Sequence, residues 1–583
     1  MSSGRRLCVL LLATAAPACS PRASRELPSL ERYPAPRGSV SPVRIGRITR
    51  PALRLSTDDV VRWQTRGRPG SRLLFAVGAT DRAEAVTALA VDVEAGGRSA
   101  YQRRVPLSRD RWFPCTIDLP PSGPVEIAIR VRPEIASGAA VRGAEDVRIA
   151  LSVPRLYHGG PGSSRARRPP RTLVWISQDA LRADHLGAYG YARATSPFFD
   201  RVSQGFFFFE RAMATSSWTL QSMASQFTSL HPSVHGANAR GLGLRPDAAT
   251  LFESLAADGF TVLGVVGNQF LSADFGLARG FDVLAYEHGP AGDLNWLALR
   301  LLATEVAGED VALFVHYVDP HATYEPPAPY DTAFPTEYTG KVDTTFGGLN
   351  RLRDPRHVER AVALYDGEIL YADTMIQRLL DALGRQGRLD RAVVAYSADH
   401  GEEFKDHGGF WHGATLYQEL LHVPFALKVP GLAPRRIPEA VSMIDLAPTL
   451  LDAVGTPPAR GFRGRSLLPL LKGTAPASPE PLVAETGYTP DGRVLVAYRE
   501  SDRKLILHLP PGRGEPRVLR AELFDLAADG RELVDRAASP EAARIRDHAL
   551  AFVRRARAEA APDTPAVLDA ETKADLKALG YFE

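Results

Sequence analysis

The sequence predicts an α/β protein: a sandwich with a largely parallel central sheet, preceded by an all-β accessory domain and followed by a small C-terminal sheet. Three observations predict it. From 172 to 472, compact apolar runs alternate with helical periodicity near 248–258 and 357–384; the runs are Leu173-Val174-Trp175-Ile176, Val262-Leu263-Gly264-Val265-Val266, Val311-Ala312-Leu313-Phe314-Val315 and Ala392-Val393-Val394-Ala395-Tyr396. Strands buried on both faces and joined by helices form parallel sheets. Upstream, from 41 to 157, shorter alternating runs are broken by Gly, Pro and Asp, as in an antiparallel sandwich. Downstream, Val494–Tyr498 and Lys504–His508 read as strands of a small sheet ahead of a charged helical tail.

The elements follow in order. Arg5 and Arg6 precede the apolar run Leu7 to Ala16 and then small residues, the pattern of an export signal over 1–19. The run is well short of the roughly 20 residues that span a bilayer. The protein is therefore expected in the periplasm or cell envelope. Ala16-Pro17-Ala18-Cys19 resembles a bacterial lipoprotein processing site, which would make Cys19 a lipid anchor; an ordinary leader with an incidental cysteine is the alternative. Residues 20–40, rich in Pro, Ser and Arg, read as a linker.

The domain at 41–157 carries Leu73–Val77, Ala88–Val93 and Val125–Val131 as strands and no chemical constellation. It is either a ligand-binding module or a spacer on the catalytic domain. Of the three cysteines, Cys8 belongs to the leader and Cys19 to its processing site. Cys115 then stands alone, which excludes a disulfide framework and predicts a small buried residue. A second linker, 158–171, leads into the catalytic domain at 172–472, and 473–583 forms the C-terminal subdomain. With 45% hydrophobic and 23% charged residues the chain is globular, and a net charge of +3 without a Lys/Arg block argues against a nucleic-acid partner.

In open α/β sheets, ligands bind beyond the carboxyl ends of the strands. Here the polar clusters follow the strands: Ser177-Gln178-Asp179, His316-Tyr317-Val318-Asp319-Pro320-His321 and Ser397-Ala398-Asp399-His400-Gly401. Three strands thus deliver Asp and His to one rim, the donor set of a divalent cation. A lone strand-end Asp caps a turn as often as it binds anything. The segment Ser216-Ser217-Trp218-Thr219 places hydroxyls at the start of a helix, where free N–H groups suit a tetrahedral oxyanion. In isolation, Thr219 reads as an N-cap. The run Phe206 to Phe209 reads as a buried strand, and Trp218 as packing beside the hydroxyl cluster.

The order of these motifs is similar to that of the sulfatase family of the alkaline-phosphatase superfamily. Ile176-Ser177-Gln178-Asp179 through Gly187-Ala188-Tyr189-Gly190 resembles its opening motif, and Thr195-Ser196-Pro197 the segment after it. Asp319-Pro320-His321, Asp399-His400-Gly401-Glu402-Glu403, His407-Gly408, His412-Gly413 and Asp445-Leu446-Ala447-Pro448-Thr449 follow in family order. Leu576–Tyr581 resembles its tail only faintly. The resemblance implies an alkaline-phosphatase-like sandwich in which Asp179, Asp399, His400 and Thr219 hold a divalent metal ion, with Mn²⁺, Zn²⁺, Mg²⁺ and Ca²⁺ as candidates. It implies Thr219 as nucleophile and His321 and His412 as contacts to the ester oxygens or leaving group. A second metal held by Asp319, His321 and His412 is an alternative to simple oxyanion contact. The substrate would be a sulfated or phosphorylated small molecule or glycan.

Two departures qualify the resemblance. Gln178 stands where many sulfatases have a second carboxylate. Thr219, Gln221 and Met223 replace the Cys or Ser, the Pro and the Arg of the nucleophile motif. Thr cannot give the formylglycine aldehyde, and a Thr nucleophile is similar to the phosphodiesterase and phosphotransferase branches. The expectation is a sulfatase-like hydrolase of sulfate or phosphate esters. The alternatives are an envelope phospho-group transferase and a glycan-binding pseudoenzyme. Arg182 is expected to pair with Asp184, and His316 and His407 to support the metal ligands.

Overall fold

The computed structural model describes residues 40–55, 60–67, 71–79, 86–106, 112–135, 149–158, 171–306, 310–474, 481–560, 562–568 and 570–578. The expected export signal, Cys19 and nearly all of both expected linkers lie outside these residues, as does the end of the faint tail motif. Among the described residues no helix is long and apolar enough to cross a membrane.

The expected α/β class is what the chain adopts. The apolar runs become the strands Thr172–Gln178, Thr261–Val266, Val311–Tyr317 and Ala392–Ala398, almost every residue of them buried. Together with Val283–Tyr286 they form a parallel block in which Thr172–Gln178 is central, between Val311–Tyr317 and Ala392–Ala398. β-branched and aromatic side chains on both faces suit them to this two-sided burial. Beyond Ala392–Ala398 the sheet continues through the antiparallel His422–Lys428 to Phe207–Met213 and Arg436–Ser442. Phe207, Phe208 and Phe209 are buried there, Phe209 stacked on Phe425 with ring centroids 4.2 Å apart.

Helices cover the faces. Pro355–Arg385 opens with Asp354 accepting from Arg356 N and Pro355 at the first helical position, where its missing N–H costs nothing. Leu251–Ala257 opens with a capping box between Thr250 and Glu253.

The N-terminal region is a sandwich. A four-stranded sheet of Val60–Gly67, Gly123–Ile135, Val86–Ala95 and Arg98–Pro106 packs against strands that include Ile48–Leu55, Ser71–Ala79, Phe113–Asp118 and Ile149–Ser152. Phe75, Leu89, Cys115, Ile129 and Leu151 meet between the layers. The second of these layers does not stop at the domain edge. Ile48–Leu55 pairs antiparallel with Val283–Tyr286, through Thr49 opposite Leu284 and Ile48 opposite Ala285, so among the described residues one 14-stranded sheet runs through both regions.

At the other end, Leu482–Thr486, Val494–Glu500, Arg503–Leu509 and Arg520–Asp525 form an antiparallel sheet. The helix Pro540–Glu559 buries Ile545, Ala549 and Val553 against it.

Candidate active site

Register sets the site. Gln178 lies opposite both Tyr317 and Ala398, so the three neighbouring strands end at one level. Asp179, Asp319 and the Asp399-His400 pair therefore leave the sheet along the same edge. Asp179 N donates to Tyr317 O at 2.9 Å, which fixes the first of these exits. Asp179, Asp399 and His400 are fully buried and bring one ligand atom each to within 4.8 Å of one another.

Each carboxylate is held. Asp399 Oδ1 accepts from Ala180 N at 3.1 Å and His400 N at 2.8 Å, whereas its buried Oδ2 has no hydrogen-bond partner and lies 3.4 Å from His400 Nε2. Asp179 Oδ2 accepts from Asn268 Nδ2 at 2.7 Å and lies 3.4 Å from His316 Nε2. His400 Nδ1 sits 2.8 Å from Gly401 O, leaving Nε2 toward the carboxylates. Gly401 is required here, because a Cβ would stand 1.9 Å from Glu419 O.

Burial opposes ionisation of Asp179, but the imidazoles of His321, His316 and His400 outweigh it and hold the carboxyl well below its ordinary range. Burial, and then the facing Asp179, push Asp399 well above it. Two facing carboxylates, one with an unpartnered buried oxygen, and an imidazole nitrogen make a donor set that fits a divalent cation, which would satisfy that oxygen and relieve the repulsion.

Thr219 is the first residue of the helix Thr219–Thr228, not its cap: Trp218 occupies that position, with no side-chain capping bond. The first intrahelical bond is Ser222 N to Trp218 O at 3.0 Å, so the amides of Thr219, Leu220 and Gln221 precede it. Thr219 Oγ1 lies 3.2 Å from His400 Nε2 and 3.4 Å from Asp179 Oδ1. Ser222 Oγ donates to Asp399 O at 2.7 Å and ties this helix to the loop of Asp399 and His400. Trp218 is buried between Phe270 and Tyr488, as packing requires.

His321 and His412 reach the same place from different loops. Their ring centroids are 4.9 Å apart, and His412 lies 4.3 Å from the His400 ring. Trp411, at φ 81°, stacks on His412 with centroids 4.9 Å apart. His412 Nδ1 is 3.0 Å from Glu402 Oε1, and Tyr324 Oη donates to Glu402 Oε2 at 3.0 Å. Burial raises Glu402 to about 7, and burial with His400 and His321 holds His412 well below its ordinary value.

Other expected residues lie elsewhere or act structurally. Asp319 meets Glu368 rather than the two histidines grouped with it, and burial raises the Asp319 carboxyl to about 6. Gln178 spends its amide within the sheet, donating to Asp319 O and accepting from Tyr396 Oη. Gln221 bridges Ser216 and Asn238 O. Met223 is fully buried, its sulfur 3.9 Å from Ser177 Oγ. Arg182 pairs with Asp184 at 2.9 Å and also with Asp406 at 2.8 Å. His316 does support Asp179, but His407 does not reach the ligands. It pairs with Glu419 at 2.7 Å and stacks on Tyr417, because the loop carrying it turns toward the C-terminal sheet. Asn268 was missed by motif reasoning, and its signal was positional: it follows Thr261–Val266, which neighbours Val311–Tyr317 in the parallel block.

Residues 171–456 match the family model described as Sulfatase. The chain is 31% identical over 190 residues to the choline-sulfatase of Rhizobium meliloti (strain 1021), covering 32% of this chain and 34% of that protein. It is 31% identical over 150 residues to arylsulfatase K of Rattus norvegicus, covering 26% of this chain and 24% of that protein. These alignments span about a quarter to a third of the length of the curated relatives. Among solved structures, BT4656, in complex with D-glucosamine-2-N, 6-O-disulfate, superposes with a TM-score of 0.57 at 18% identity over 69% of this chain and 100% of that one. The phosphonate monoester hydrolase of Agrobacterium radiobacter gives 0.55 at 19% identity over 67% and 96%. At such identities the superpositions establish the fold.

Proposed function

From the premise that residues 171–456 make this chain a member of the sulfatase family, we propose that it is a metal-dependent hydrolase of sulfate or phosphate esters with Thr219 as its nucleophile. One observation carries the reading. The Thr219 hydroxyl, at the start of a ten-residue helix, lies within 3.4 Å of both Asp179 and His400 in the buried cluster suited to a cation.

Asp179, Asp399 and His400 would hold the cation, with Asn268 and His316 fixing Asp179. A divalent ion there supplies Lewis acidity: it favours the ionised hydroxyl and draws charge from the ester oxygen. The protein does the rest. Thr219 Oγ1 attacks sulfur or phosphorus in line with the leaving alcohol. The amides of the first helical turn, at the positive end of the helix, face the oxyanion and stabilise its charge. His321 and His412 contact the ester and leaving-group oxygens, and one of them returns a proton to the departing alcohol. Water then displaces the Thr219 oxygen and releases sulfate or phosphate.

A hydroxyl nucleophile, without the aldehyde, favours phosphate over sulfate esters, and the phosphonate monoester hydrolase among the similar structures supports including that class. The apolar leader at Leu7 to Ala16 supports an exported protein acting in the cell envelope. The test is a screen of aryl phosphate, aryl phosphonate, phosphodiester and aryl sulfate with Mn²⁺, Zn²⁺, Mg²⁺ and Ca²⁺. Thr219→Ala should lower turnover of the accepted ester by more than ~10³-fold, the order expected when a nucleophile is removed, at an unchanged melting temperature. Undiminished turnover would refute the assignment.

A further inference from the structure

A row of aromatic rings leads from the two histidines of the site to the surface. Trp411 stacks on His412 with centroids 4.9 Å apart and stands edge-on to His321 with centroids 5.1 Å apart. Phe346 in turn meets Trp411 edge-on, with centroids 5.3 Å apart and planes at 75°. Trp411 is buried, whereas Phe346 is 47% exposed. Single exposed apolar side chains are ordinary on a protein surface. This one differs because it continues a row of rings that ends on the residues facing the ester.

Phe346 is also held in place. It opens the short helix Phe346–Arg351, where Thr345 Oγ1 accepts from Gly348 N at 3.1 Å and Leu349 is fully buried in the central core. Asp343 accepts from Thr345 N at 3.1 Å and pairs with Arg351 at 3.0 Å. The buried Thr344 hydroxyl accepts from Tyr324 N at 3.1 Å, which ties this segment to the loop that carries His321. The exposed ring is thus anchored to the site by the chain that bears it.

Resting on the ester-hydrolase reading above, we propose that Phe346 sets specificity for the alcohol half of the ester: with Trp411 it forms a subsite for an alcohol bearing a flat ring, a pyranose or an aryl group. The leaving-group oxygen lies at His321 and His412, so the carbon skeleton attached to it continues along the rings that adjoin them. A pyranose and an aryl group both offer a flat face and a C–H edge. Aromatic side chains bind such surfaces in stacked or edge-on geometry and remove apolar area from water. The acid half faces Thr219 and Asp179, so the ring contact discriminates between alcohols and not between acids.

The experiment compares kcat/KM on the 2-phenylethyl, glucose 6- and ethyl monoesters of the accepted acid, in the full chain with its preferred metal. All three are esters of primary alcohols, which keeps the intrinsic leaving ability similar. The native chain should turn over at least one ring ester with a higher kcat/KM than the ethyl ester. Phe346→Ala should lower that value by ~5–10-fold, chiefly through KM, and lower the ethyl-ester value by less than ~2-fold, the size expected for one lost aromatic contact. Loss on the phenylethyl ester alone makes the subsite an aryl site, and loss on the glucose ester alone a pyranose site. Phe346→Tyr keeps the ring and should keep the preference, whereas Phe346→Leu, apolar without a ring face, should lose part of it. Equal losses on all three esters, no loss on either ring ester, or a fall in kcat at unchanged KM would overturn the role of Phe346. If Thr219→Ala stays active, or no ester is turned over, the hydrolase reading itself fails and takes this proposal with it.

Discussion

Asp179 divides its two oxygens between two tasks. Oδ1 faces Thr219 at 3.4 Å, and Oδ2 is tethered by Asn268 and His316. The tether fixes the carboxylate plane, and such outer contacts commonly change metal affinity by about 10–100-fold. Asn268→Ala should therefore weaken binding of the preferred metal by about that factor, read by calorimetric titration, and an unchanged dissociation constant would contradict it. Asp179, Asp399, His400 and Thr219 could be read from the chain because they stand in recognisable local strings. Asn268 could not: it is one of two polar residues in Val266-Gly267-Asn268-Gln269, and only the adjacency of two strands brings it to Asp179.

Among elements, the long helix Pro355–Arg385 carries a carboxyl that acts on another helix. Asp373 is buried and accepts from Phe198 N at 2.7 Å and Phe199 N at 2.9 Å, closing the first turn of Pro197–Val202. Burial raises its carboxyl to about 7 despite those two donors. Between the unfolded value near 4 and about 7, the folded state holds the proton that the unfolded state has released, so this group's contribution to stability falls as pH rises. The slope is at most about 1.4 kcal/mol per pH unit. Urea unfolding from pH 4 to 8 should show a steeper decline in the native chain than in Asp373→Asn, and parallel curves for the two proteins would refute it. Helix existence was legible from apolar spacing, whereas this capping across 174 and 175 residues was not, because periodicity reports a helix's own faces and not its neighbour's ends.

In the whole molecule, the C-terminal sheet braces the loop that presents His412. Lys504 and Glu532, both with fully buried side chains, pair at 2.8 Å, and Glu532 Oε2 accepts from Gln418 N at 2.7 Å. His407, on the turn before the short strand Phe410–Trp411, meets Glu532 O at 3.2 Å. Removing one member of a buried pair costs about 3–5 kcal/mol because the other charge is stranded. Lys504→Met should lose about that much in denaturant unfolding, and Lys504→Met/Glu532→Gln should regain most of it. A single variant as stable as the native chain would show that the pair contributes nothing. The alternating layers and the C-terminal strands were visible as composition and period. Their junctions were not, since the residues that make them are ordinary strand and loop residues far apart in sequence.

The merging of the N-terminal layer into the central sheet bears on how the chain can be divided. Where Ile48 and Thr49 lie against Leu284 and Ala285, a cut near residue 170 would do more than detach a module. It would strip the ladder from the flank of Val283–Tyr286 and bare a row of backbone donors and acceptors on a buried, apolar strand. Such an edge invites pairing with other chains. The remainder of the chain, expressed alone, would thus be born adhesive, and the upstream strands act in part as its built-in stopper.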